Sequence, residues 1–151
     1  RFFMKCLVSY PADGEEKELL RRYGEIDLSR VGVVTDARAL SETAALVGGI
    51  YIDERLIDYI VNIVRETRDP AGAALKGLVE FGASPRASIA LMKAARCMAF
   101  LRGRGYVTPD DIKEVGADVL RHRVIPSYEA EAARTTADDI VKIVFDSVEV
   151  P

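Results

Sequence analysis

Among the 151 residues, the stretch with the clearest capacity for chemistry is Gly82-Ala83-Ser84-Pro85-Arg86. Ser84 suits a helix N-cap, and Pro85 suits a first helical position, where a missing N–H is harmless. Arg86 then falls in the first turn, beside unpaired backbone N–H groups and the positive end of the helix dipole. A cation there is disfavoured by about 0.3 kcal/mol or more unless an anion is shared between it and the free amides. Lys93, seven residues on, returns to nearly the same side of the helix. Ser84, Pro85 and Arg86 therefore read as a phosphate-sensing site, weighed against the commonest fate of an arginine, which is to be solvated.

Other motifs are decoys. Ile50-Tyr51-Ile52-Asp53-Glu54 looks like the apolar strand with Asp-Glu that holds magnesium in nucleotide hydrolases, but an amphipathic helix starts at Asp53 and capping accounts for that residue. Gly72 and Gly77 have phosphate-loop spacing, yet Leu78 and Val79 stand where the motif needs Lys and Ser or Thr. His122 is the single histidine, with no Cys-x-x-Cys or His-Glu-x-x-His beside it. It reads as a helix-end residue, and no metal site is expected.

The elements that must position Arg86 are helical. Apolar residues from Ala87 to Leu101 surround the helix expected over 84–102 nearly completely, which predicts that it is largely buried. Before it come helices expected from Asp13 to Tyr23, stopping at Gly24, then over 37–47, and then from Asp53 with Leu56, Ile57, Ile60, Val61, Ile63 and Val64 facing a core. Residues 67–81 contain Pro70, Gly72 and Gly77 and read as a flexible loop with one helical turn over 75–79. Beyond it, Thr108-Pro109-Asp110-Asp111 is a clear helix start, leading through Val115 and Leu120 to the cations Arg121-His122-Arg123. Thr136 or Asp138 opens a last helix over 139–148. Phe2 to Tyr10 reads as a strand whose partners lie outside the sequence, so that residues 2–9 are the weak part of the chain. The expected fold is mainly α, a bundle of five to six helices preceded by one orphan β-strand.

Composition bounds the function. The chain is 49% hydrophobic and 30% charged, enough for one domain with a real core, and its formal net charge is -3. That balance argues against nucleic acid as a partner, and Asp110, Asp111, Glu114 and Asp118 argue against a helix-turn-helix reader using residues 108–123. No apolar run approaches the roughly 20 residues of a membrane span. Cys6 and Cys97 read as reduced core thiols of a cytoplasmic protein.

Several stretches carry a family resemblance. Gly82 to Ser88, Ala94-Ala95-Arg96, Tyr106 to Asp111 and Val119 to Arg123 resemble, in order, the C-terminal lid of MoxR-type AAA+ ATPases, and Arg1 to Met4 with Tyr10-Pro11 resemble the end of the α/β core in that family. The resemblance implies a core edge over 1–13 and a helical lid over 14–151. It implies that Arg86 is the sensor 2 arginine, contacting the γ-phosphate of ATP, and that Arg1 is a trans arginine finger. Phosphate loop, magnesium-binding acids and sensor 1 lie upstream of Arg1 in such enzymes, so the resemblance places ATP and Mg in the missing core and no tightly bound cofactor on these residues. Hexameric rings, chaperone-like remodelling and von Willebrand factor A domain partners are further family implications. The alternative is a helical protein-interaction module that binds no nucleotide.

Overall fold

The computed structural model describes residues 2–23 and 31–151. Arg1, expected as the arginine finger, and Gly24, expected as a helix stop, lie outside them. Seven α-helices are found among the described residues: α1 (Asp13–Arg22), α2 (Ala37–Gly48), α3 (Glu54–Glu66), α4 (Pro85–Leu101), α5 (Pro109–Leu120), α6 (Tyr128–Ala132) and α7 (Ala137–Ser147). Their starts follow local chemistry. Asp36 accepts the Ala39 N–H at 2.8 Å and Asp53 the Arg55 N–H at 3.0 Å. Thr136 and Asp139 exchange two backbone hydrogen bonds in a capping box, which decides between the two expected starts of the last helix.

One core spans residues 50 to 144. In it α4 and α5 pack on each other, with α3 and α7 closing the flanks. Gly116 of α5 lets α7 approach, because a Cβ there would stand 2.3 Å from the Phe145 ring. From α3 the core takes Leu56, Tyr59, Ile60, Ile63 and Val64, while Val61, expected to face inward, is 46% exposed. A parallel bridge between Tyr51 and Tyr106 ties the approach to α3 to the turn between α4 and α5, with hydrogen bonds of 3.0 Å to Gly105 and Val107.

Five expectations need correction. Residues 67–81 are not a flexible loop: a 3-10 turn (Ala73–Leu75) buries Leu75, and β1 (Val79–Phe81) pairs antiparallel with β2 (Ile125–Pro126). Strand polarity and the long separation of the two partners hid that pairing. The short helix α6 was also absent from the expected five to six; Ser127 caps it through the Ala130 N–H at 3.1 Å. The core helix α4 is not buried all round, for Arg86, Ile89, Lys93, Cys97 and Leu101 form an exposed stripe at helical spacing. Cys97 on that stripe, and Cys6, are exposed free thiols rather than core residues.

The fifth correction concerns the N-terminal segment. Residues 2–10 are not in a strand, since a strand's row of N–H and C=O groups has no partner strand among the described residues. Instead residues 2–5 lie across the C-terminal end of α5: the Lys5 N–H donates to the Asp118 carbonyl at 2.8 Å, and Arg121 and Arg123 donate to the carbonyls of Lys5, Phe2 and Phe3. Only beyond Lys5 does the segment stand free, with Val8 94% and Tyr10 98% exposed.

Candidate functional site

The start of α4 is fixed by the end of α3. Thr67 is fully buried; its hydroxyl donates to the Val64 carbonyl at 2.7 Å and accepts the Ala83 N–H at 2.9 Å. Beside it Gly82 passes so close that a Cβ would stand 2.3 Å from the Thr67 carbonyl oxygen. Pro85 occupies the first helical position, as its sequence predicts. Ser84 occupies the N-cap position but its hydroxyl makes no capping hydrogen bond; it faces an open cleft instead.

That cleft has a volume of about 770 Å³. The first turns of α4 line it with Ser84, Arg86, Ile89, Ala90 and Lys93, the residues after α5 with His122 and Arg123, and the N-terminal segment with Phe2 and Phe3. Arg86 and Lys93 do fall on one side, as seven-residue spacing predicts. His122 and Arg123 were missed as site residues. Their cationic character reads as ordinary helix-end chemistry, and no spacing rule links position 123 to position 86 across two elements.

Electrostatics give the cleft its character. Among the described residues, none of Arg86, Lys93 and Arg123 has a carboxylate within salt-bridge distance, whereas Arg102, Arg104 and Arg121 are all paired. Burial, and after it the nearby Arg86 guanidinium, push the Arg123 pKa below its ordinary value. Burial likewise lowers the His122 pKa, opposed by the contact of Nε2 with the Phe2 carbonyl at 3.3 Å. Like charges brought together in a cleft without acids suit an anion. Among the described residues no group of three or more His, Cys, Asp or Glu side chains could hold a metal ion.

Comparison with known proteins bears on this site. Residues 73–144, which include α4, α5 and the cleft residues they carry, match the AAA lid domain family. Over its whole length the chain is 38% identical to the chaperone MoxR1 of Mycobacterium tuberculosis, covering 41% of that protein. It is 35% identical to the protein MoxR of Methylorubrum extorquens, over 85% of the chain and 37% of that protein. Over its whole length the chain is therefore similar to MoxR-type AAA+ proteins. A crystal structure from Cytophaga hutchinsonii, of a protein provisionally described as an ATPase, superposes on this chain with a TM-score of 0.91 at 35% identity, covering all of this chain and 47% of that one. The chain thus spans less than half the length of these relatives. The expected helical lid is the fold observed, and no helix among the described residues is long and apolar enough to cross a membrane.

Proposed function

We propose that this chain is the nucleotide-sensing lid of a MoxR-type ATPase, with residues 14–151 as the lid and 1–13 as the edge of an α/β core. Arg86 contacts the γ-phosphate of ATP, and Ser84 and Pro85 shape the helix start that aims it. The observation that carries this reading is the cleft itself: Arg86, Lys93 and Arg123 converge on one opening, with no carboxylate within salt-bridge distance of them among the described residues. Phosphate loop and magnesium ligands come from the core of the parent protein, so the lid supplies charge and closure rather than the chemical step. Arg1, as a trans arginine finger, retains the role implied by the family pattern. Remodelling of partner proteins is supported by the name of the similar chaperone from Mycobacterium tuberculosis; an oligomeric ring and von Willebrand factor A domain partners rest on the family resemblance alone.

The test is Arg86→Ala in the full-length protein. Loss of a charge-assisted contact to phosphate costs about 1.5–3 kcal/mol, so nucleotide affinity or hydrolysis should fall by about one to two decades. Arg86 is exposed at the positive end of a helix and unpaired among the described residues, so its removal should leave the melting temperature unchanged or slightly raised. Unchanged affinity together with unchanged hydrolysis returns Arg86 to an ordinary solvated arginine.

A further inference from the structure

The last turn of α5 leaves four carbonyls without helical partners, and each is accounted for. Ala117 O accepts the Arg121 N–H at 2.9 Å, and Leu120 O accepts those of Arg123 at 2.8 Å and Val124 at 3.1 Å. Val119 O accepts from the Arg123 guanidinium. Asp118 O takes its donor from far away in sequence, the Lys5 N–H at 2.8 Å. Segment 2–5 is therefore the cap of α5, the helix packed against the one that carries Arg86.

Arg123 belongs to both this cap and the cleft. Its Nη1 donates to Val119 O, and its Nη2 donates to Phe2 O at 2.8 Å and Phe3 O at 3.0 Å. A guanidinium carries five N–H donors, so Nε–H and one N–H of Nη1 remain, with no partner among the described residues. Arg123 can thus hold the segment and meet an anion at once. An anion between Arg86 and Arg123 also removes the repulsion that otherwise disfavours the docked position of Arg123.

We propose that Arg123 is a positioning residue that couples cleft to segment: a phosphoryl group bound between Arg86 and Arg123 tightens the docking of residues 2–5 on the end of α5. The coupling rests on the phosphate reading of the cleft given above. It is reciprocal, so undocking the segment weakens anion binding by the same factor.

Full-length protein and the non-hydrolysable analogue adenylyl imidodiphosphate with magnesium provide the test, with amide exchange at Lys5 and analogue affinity as the two readouts. Saturating analogue should slow Lys5 exchange by about fivefold or more, the lower range of measured allosteric couplings. In Arg123→Gln and in Arg123→Lys, which keeps the charge but loses the fork, saturating analogue should leave Lys5 exchange unchanged. Lys5→Pro, lacking the N–H that reaches Asp118, should weaken analogue binding by the same factor, while Lys5→Gln should not. If Arg86→Ala lowers analogue affinity but Lys5 exchange does not respond in the unmodified protein, the coupling is overturned and the phosphate site stands. Should affinity be indifferent to Arg86→Ala, the phosphate reading fails and takes the coupling with it.

Discussion

Asp111→Ala should lower the stability of the chain by about 3 kcal/mol, the lower end of the range for breaking a buried ion pair, and its melting temperature by roughly 10 °C. The Asp111 side chain is wholly buried between the α4–α5 turn and the start of α5. Its carboxylate accepts from Arg102 at 3.0 Å, from both Nη atoms of Arg104 at 2.9 and 2.5 Å, and from the Thr108 N–H at 2.8 Å. Removing it leaves two guanidinium groups facing each other and α5 without its capping partner. Arg102 and Arg104 are 41% and 24% exposed, so water relieves part of that loss, which is why the lower end of the range applies.

The same site gives the pH dependence a sign. Burial pushes the Asp111 pKa up, but hydrogen bonds from Arg104 and Thr108 and the Arg104 charge hold it below the ordinary carboxylate value. A depressed pKa contributes stability above the unfolded value of about 3.9, and that contribution is lost as pH falls through the folded value. Denaturant titrations of the native chain and Asp111→Asn at pH 7 and pH 3 should show the gap between them narrowing in acid. An equal gap at both pH values refutes the assignment.

Gly82→Ala should cost about 3 kcal/mol, the upper end for overpacking, because the new methyl meets backbone and not a side chain that can swing away. It would lie 2.3 Å from the Thr67 oxygen and 2.6 Å from the Thr67 carbonyl carbon, with the Arg68 Cγ at 2.7 Å. Relief requires the 82–84 backbone to move off α3, pulling Ala83 from the Thr67 hydroxyl and shifting the start of α4 with Arg86 on it. Stability and nucleotide affinity of the full-length protein should therefore fall together, in contrast to Arg86→Ala, where only affinity falls. A Gly82→Ala protein that melts within 2 °C of the native one, against roughly 2–4 °C per kcal/mol for a chain of this size, contradicts the close approach.

Legibility in the sequence tracked how local the determining physics is. Asp53, Thr108 and Pro109 announced their helices because a cap needs only the next few residues, whereas the start of α2 was open between Thr35 and Asp36. Arg86 and Lys93 were placed together because one helix repeats every 3.6 residues. Hidden were pairings set by tertiary context: β1 with β2, the buried Asp111 beneath two arginines on the preceding turn, and Arg123 beside Arg86. The apolar run of α4 overstated its burial for a related reason. Small residues at Ala87, Ala90, Ala94, Ala95 and Ala99 let neighbours approach on one side only, leaving Ile89 and Leu101 52% and 75% exposed. The N-terminal segment was misread because aromatic and β-branched residues favour a strand, while the donors actually available to its carbonyls were arginines at the end of a helix.

Neither α1 nor α2 buries a single side chain, although Leu19, Leu20, Leu40 and Leu46 ride on them. Helices of 10 and 12 residues with no buried side chain are marginal, even where α2 lies against α4, and the ion pairs Arg22–Glu18 and Arg38–Glu42 add only about 0.3–0.5 kcal/mol each. The chain is consequently two-tiered in its thermodynamics. Residues 50–144 should therefore open only with the global transition, whereas α1 and α2 should unwind by local fluctuation at a small fraction of that free energy, a difference that amide exchange would show. Helicity in the first third of the chain is thus a gauge of what rests against it, and a contact that covers those four leucines is registered first as order in a segment that holds little of its own.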